Sequence, residues 1–234
     1  MKILSIGNSF SQDTQRYLHK VAQANNKDIK CVNLYIGGCP LRIHYLNMTD
    51  NERSYAFEFN GEGTGIFVSI KDAIMSDDWD YVTLQQASHE SFDITKYSPY
   101  IERLSEYIRM NLPDAKLLLH QTWAYPKEGG RVADMGFDST KEMFKAVRKA
   151  YDKAAELIKP EMIIRSGEAM FKAYEMHPEN LYRDAIHASL GYGRYLLACV
   201  WYKTLTGKCP KNHNIKFDEA VSKEEIEVIE SILN

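Results

Sequence analysis

The strongest constraint in this sequence is its rhythm. Short apolar runs alternate with longer segments whose apolar residues recur every three or four positions. Lys2–Ile6, Ile29–Ile36, Tyr81–Leu84, Lys116–Leu119 and Met162–Ile164 read as strands. Gln12–Asn25, Gly65–Met75, Tyr97–Met110, Thr140–Ile158, Leu190–Leu205 and Lys223–Leu233 read as helices. Strands that alternate with helices form a parallel sheet with helices on both faces, because each crossover lays a helix back on the sheet. The expected fold is a three-layer α/β/α sandwich. Its five parallel strands take the flavodoxin-like order 2-1-3-4-5, and its site lies at their carboxyl ends. Residues 1–234 read as one domain, with an irregular insertion at about 42–64. Tyr55–Phe59 alternates like an extra strand ending near Gly61, and the insertion is expected to lie over the site.

Composition narrows the class. Hydrophobic residues make up 44% and charged residues 26%, which excludes a disordered or collagen-like chain. Lys and Arg number 29 against 32 Asp and Glu, a net charge of −3, so no nucleic-acid partner is expected. No apolar run approaches the ~18 residues of a membrane span, so no membrane partner is expected. Met1-Lys2 leads directly into Ile3–Ile6, too short for a signal-peptide core, and the expectation is a cytoplasmic protein. Cys31, Cys39, Cys199 and Cys209 form no C-x-x-C pair and are expected to be free thiols. No spaced set of metal ligands occurs, so neither a metal nor a cofactor is expected. Oligomeric state is not readable.

Two segments carry candidate chemistry. Gly7-Asn8-Ser9-Phe10-Ser11 follows the first strand and opens a helix. A serine there stands beside helix-terminal N–H groups, whose field favours an alkoxide and an oxyanion. On this segment alone, a serine that merely caps the helix explains the residues as well. Tyr182-Arg183-Asp184-Ala185-Ile186-His187 follows the last strand. A serine nucleophile needs a histidine to take its proton and a carboxylate to orient that histidine. Asp184 and His187 can serve from one loop, although a D-x-x-H can equally be a surface ion pair.

Together these segments resemble the SGNH, or GDSL-type, hydrolases. That family carries its nucleophile in a Gly-Asp/Asn-Ser block after the first strand and an Asp-x-x-His block near the C-terminus. The resemblance implies Ser9 as nucleophile, His187 as base and Asp184 as orienter. It implies an oxyanion hole built from the N–H of Ser9, the N–H of a glycine after strand two, and a side-chain amide. Gly38, in Ile36-Gly37-Gly38-Cys39-Pro40, fits the glycine. The third block departs from the family's Gly-x-Asn-Asp and reads Leu84-Gln85-Gln86-Ala87-Ser88. Gln86 is the first choice for the amide donor and Gln85 the second, a choice that turns on register. Some carbohydrate-esterase branches also carry Gln near this block. The resemblance is strongest to a bacterial SGNH-like branch with Gly-Asn-Ser-Phe, Leu-Gln-Gln-Ala-Ser and Tyr-Arg-Asp-x-x-His blocks.

The expected function is a serine esterase acting on a small-molecule or glycan ester, such as an O-acetyl group on a carbohydrate. The alternatives are a non-catalytic carbohydrate-binding protein on the same fold, motivated by the altered third block, and an acyltransferase using the same triad. Trp123, His89 and His44 are candidate pocket residues, and His120 reads as a structural histidine.

Overall fold

The computed structural model describes residues 1–234. In chain order its elements are β1 (Lys2–Gly7), α1 (Ser9–Gln15), α2 (Leu18–Ala24), β2 (Lys30–Tyr35), α3 (Leu41–Asp50), β3 (Tyr55–Phe59), β4 (Glu62–Val68), α4 (Ile70–Ile74) and β5 (Tyr81–Leu84). There follow α5 (Tyr100–Asn111), β6 (Lys116–His120), α6 (Arg131–Asp134), α7 (Thr140–Ile158), β7 (Met162–Ile164), α8 (Ser166–Met176), α9 (Tyr192–Thr206) and α10 (Lys223–Leu233).

The sheet has seven strands in the order β4-β3-β2-β1-β5-β6-β7. Strands β2, β1, β5, β6 and β7 pair in parallel, which reproduces the expected five-stranded order. Strands β3 and β4 add an antiparallel hairpin beyond β2. The parallel strands are apolar on both sides because helices cover both faces. Ile3, Leu4, Val82, Leu84, Leu118 and Leu119 are all fully buried. No helix is long and apolar enough to cross a membrane.

The insertion differs from expectation. Residues 41–50 form a helix, and the remainder extends the sheet edge instead of capping the site. Asn60 and Gly61, both at positive φ, close the two-residue turn that zips β3 to β4. That pairing draws Ile66, Phe67 and Val68 into a strand, although their spacing also fits a helix. The helix begins only after Ser69, whose side chain accepts from the Asp72 N–H while the Asp72 carboxylate accepts from the Ser69 N–H. The expected helix Gln12–Asn25 is broken in two. The break falls at Arg16 and Tyr17, where tertiary contacts win over helix continuity. Arg16 pairs with Asp218, and the Tyr17 hydroxyl donates to the Leu190 carbonyl. Helix α8 was not expected at all; α7 and α10 have the expected boundaries.

Candidate active site

The carboxyl ends of β1, β2 and β5 bring the first three sequence blocks together. Strand β1 ends at Gly7, where a Cβ would lie 2.2 Å from the Ser11 Oγ, so α1 can start this close only because Gly7 has no side chain. Asn8 caps α1, its Oδ1 accepting from the Phe10 N–H at 3.1 Å. Ser9 is therefore the first residue of the helix, half-buried, with its N–H at the positive end of the backbone dipoles.

The turn between α8 and α9 approaches Ser9 from the other side. His187 Nε2 lies 2.9 Å from Ser9 Oγ, and His187 Nδ1 lies 2.8 Å from Asp184 Oδ2. The second Asp184 oxygen accepts from the Ile186 and His187 N–H groups at 2.8 and 2.7 Å, which folds the turn. Burial pushes the Asp184 carboxyl up, but these N–H groups and the His187 ring outweigh it and hold it below its ordinary value. Asp184 is thus ionised and fixes the His187 tautomer with the proton on Nδ1, leaving Nε2 free to accept from Ser9.

Two further contacts fix this turn. The Arg183 guanidinium spans both oxygens of Asp13 in α1 at 2.8 and 2.9 Å and also donates to the Ala188 carbonyl. The Trp123 indole donates to the Ile186 carbonyl at 3.0 Å, and its ring stacks on Phe10 with centroids 4.0 Å apart. Ser9, Asp184 and His187 are thus brought into one hydrogen-bonded line.

Gly38 adopts a left-handed φ of +62° on the exposed loop after β2. Neither the Ser9 nor the Gly38 N–H has an acceptor within the chain. The glutamines behave differently from expectation. Gln85 is buried, donates to Asn8 Oδ1 at 2.6 Å and faces His120 Nδ1 at 2.6 Å through its oxygen. Gln86 is buried, donates to the Lys96 carbonyl at 3.0 Å and accepts from the Leu41 and Ala87 N–H groups, both at 2.9 Å. Strand β5 ends at Leu84, so register does not separate them, and both amides are engaged in the interior.

The pocket candidates divide. Trp123 is wholly buried and braces the turn from beneath, so it cannot be a stacking wall for a ligand. His44 is also wholly buried, with Nδ1 2.9 Å from the Tyr55 hydroxyl, because α3 packs it against β3. His89 is exposed at the start of the loop after β5. Sequence reasoning missed Tyr174 and Tyr182. They border an open cleft of about 420 Å³ that adjoins Asp184 and also includes Pro126, Pro178 and Glu128. Tyr182 stands inside the Tyr-Arg-Asp block and was therefore findable; Tyr174, on the unforeseen α8, was not. Cys31, Cys39 and Cys199 are buried free thiols and Cys209 is a partly exposed one. No group of three or more His, Cys, Asp or Glu side chains is placed to hold a metal ion.

The comparisons with known proteins agree with this architecture. A family model described as a domain of unknown function, DUF4886, matches residues 2–231. The chain belongs to the DUF4886 family. A DUF4886 protein from Bacteroides uniformis, solved by crystallography, is 32% identical over 100% of this chain and 93% of its own, with a TM-score of 0.92. A proposed SGNH hydrolase from Slackia heliotrinireducens is 24% identical over 88% of this chain and 98% of its own, with a TM-score of 0.64. A family 3 carbohydrate esterase from Clostridium thermocellum is 13% identical over 87% of this chain and 94% of its own, with a TM-score of 0.55. No curated protein matches. This DUF4886 chain has the SGNH-type α/β/α hydrolase fold, with the central sheet widened to seven strands.

Proposed function

We propose that this DUF4886 protein is a serine esterase with Ser9 as nucleophile, His187 as general base and Asp184 as its orienter. The observation that carries the reading is the unbroken line from Ser9 Oγ through His187 to Asp184, with links of 2.9 and 2.8 Å. Ser9 Oγ attacks the ester carbonyl carbon as its proton passes to His187 Nε2. The ester C–O bond then breaks, and the same proton goes to the departing alcohol. Water, deprotonated by His187, attacks the acyl-enzyme, releases the acid and restores Ser9. The unpaired Ser9 and Gly38 N–H groups hold the developing oxyanion.

The proposed substrate is a small acyl ester, first an O-acetyl group on a carbohydrate. Support comes from the cleft beside Asp184, where Tyr174 and Tyr182 supply an aromatic border. The shared fold of the Clostridium thermocellum carbohydrate esterase points the same way.

The test is hydrolysis of p-nitrophenyl acetate and acetylated xylo-oligosaccharides by the wild type, Ser9→Ala and His187→Ala. Both variants should lose about 10³-fold or more in kcat. A fluorophosphonate should label Ser9 in the wild type alone. Equal hydrolysis by all three proteins, with no labelling, would falsify the reading. Because both glutamine amides are engaged, such a result with glycan binding retained in Ser9→Ala would favour a carbohydrate-binding protein instead. Acyl transfer to an added alcohol, seen by product analysis, would make the same triad an acyltransferase.

A further inference from the structure

We infer that Gln85, Gln86 and His120 are positioning residues. They set the Ser9 turn and the Gly38 loop against each other and do not touch the substrate. The inference rests on the reading of Ser9 as nucleophile.

Four hydrogen bonds run in one direction from α8 to the glycine loop. Thr14 spends its hydroxyl proton on the Phe10 carbonyl, so Ser166 is the donor to His120 Nε2 at 3.1 Å. His120 Nδ1–H then donates to Gln85 Oε1 at 2.6 Å. Gln85 Nε2 donates to Asn8 Oδ1 at 2.6 Å. Asn8 Nδ2 donates to the Cys39 carbonyl at 3.1 Å, one residue beyond Gly38. Every side chain in the relay is at least 99% buried, so no water competes for these groups.

The direction of the relay matters. An Asn8 amide turned over would set its NH₂ against two donors, Phe10 N–H and Gln85 Nε2, and would release the Cys39 carbonyl. Gln85 prevents this only while its own amide is held, and His120 holds it. His120 is neutral, burial having lowered its pKa to about 3, so its Nε2 accepts from Ser166 and its one ring proton sits on Nδ1, facing Gln85.

Gln86 secures the other side of the same loop. Its Oε1 accepts from the Leu41 N–H, and its Nε2 is anchored on the Lys96 carbonyl. The segment that carries Gly38 is therefore gripped at Cys39 by Asn8 and at Leu41 by Gln86. Gly38 sits just ahead of both grips, at a left-handed φ that glycine adopts without strain. The paired glutamines thus hold the segments that carry the two backbone donors, the Ser9 and Gly38 N–H groups.

The experiment compares Gln85→Met, Gln86→Met, Ser166→Ala, His120→Leu and His120→Asn with the wild type and Ser9→Ala on p-nitrophenyl acetate. Thermal melts report folding. Gln85→Met, Gln86→Met and His120→Leu should lose about 10²-fold in kcat, the scale of a small misplacement of reacting groups. KM should stay within roughly threefold. Ser166→Ala, the mildest change and the furthest from Ser9, should lose several-fold with the same split. His120→Asn keeps an N–H near the Nδ1 position and should recover most of the His120→Leu loss. The Gln85→Met/His120→Leu double variant should be no worse than the poorer single, because both break one relay.

Wild-type kcat in folded Gln85→Met and Ser166→Ala, with Ser9→Ala inactive, would sink the relay and leave the esterase reading intact. A raised KM at unchanged kcat would place the glutamines on the substrate and overturn the inference. Additive losses in the double variant would do the same. Should both Gln85→Met and His120→Leu fail to fold, Ser166→Ala and His120→Asn still decide the matter. Equal activity in wild type and Ser9→Ala is the separate failure of the esterase reading.

Discussion

Helices α1 and α7 are held in place by opposite means. Helix α7 buries Met143, Val147, Ala150, Tyr151, Ala154 and Ile158 along one stripe. Helix α1 buries Phe10, Ser11, Asp13, Thr14 and Gln15, four of them polar. Each polar side chain in α1 has a directed partner. Ser11 donates to Asn33 at 2.7 Å, Gln15 to Ser5 at 2.6 Å and Thr14 to the Phe10 carbonyl, while Asp13 binds Arg183 and Arg194. Apolar packing is large in energy but weakly directional. Hydrogen bonds and ion pairs add little net energy, yet they fix distance and angle. The helix that carries Ser9 is placed by the second kind, and the remote helix by the first.

The largest expected effect tests whether that difference reaches function. Asp13 is wholly buried between two guanidiniums, one of them on the residue before Asp184. Asp13→Ala leaves Arg183 without a carboxylate and Arg194 with only Asp218 at 3.3 Å, and should cost about 3–5 kcal/mol of stability. It also frees Arg183 from α1, so kcat should fall even at temperatures where the variant is folded. Met143→Ala, on the α7 stripe, should cost a similar ~2–5 kcal/mol through its cavity. Its kcat should stay at the wild-type level. Urea unfolding read beside kcat separates the two, and an equal effect of both variants on kcat would break the comparison.

The same contrast explains what the sequence could reveal. Helices α7 and α10 have the boundaries expected from periodicity because both carry regular apolar stripes and serine caps, at Ser139 and Ser222. The parallel strands were legible because strands buried on both faces read as continuous apolar runs. Helix α3 was not, since its apolar residues form no clear stripe and only Leu41 and His44 are buried. At the site, spacing and chain order pointed to Ser9, Asp184 and His187. The partners of Gln85 and Gln86 were not legible, because an amide's partner depends on what the fold places beside it. Here those partners are Asn8, His120, Leu41 and Lys96, which come from four other segments of the chain. Trp123 failed for a similar reason. A tryptophan at a strand's carboxyl end can line a cleft or floor it, and Phe10 and the Ile186 carbonyl draw this one beneath.

Acid sharpens the comparison next. His44 and His120 are wholly buried, and burial lowers both from 6.5 to about 3. As pH falls through about 6.5 the unfolded chain binds a proton at each, while the folded protein does not until about pH 3. The unfolded state therefore holds more protons across this window, and stability falls with pH. The slope is at most about 1.4 kcal/mol per pH unit for each histidine. Asp184 and Asp218 have lowered values, so their contributions are lost only in stronger acid, below the ordinary carboxylate range. Nothing on the α7 stripe takes up a proton in this range. His44→Gln should remove about half of the histidine slope in unfolding free energy between about pH 6 and 5. An unchanged slope would show that His44 is not held neutral in the folded protein.

The smallest effect lies at the two helix starts, where the same chemistry has different reach. Ser139 caps α7, its side chain accepting from the Glu142 N–H at 3.2 Å. Ser139→Ala removes that single acceptor at a partly exposed end, where water can replace it, and should cost about 1 kcal/mol with no change in kcat. Asn8 caps α1 in the same way, but its amide also receives Gln85 and grips the Cys39 carbonyl. Asn8→Ala removes a helix cap and a link between two loops at once, in a place water does not enter. Its stability loss should exceed that of Ser139→Ala, and kcat should fall with it. Melting temperatures and kcat for the two alanine variants, measured side by side, test this directly. Equal behaviour would mean that Asn8 does no more than cap a helix and that the Ser9 turn needs no such grip.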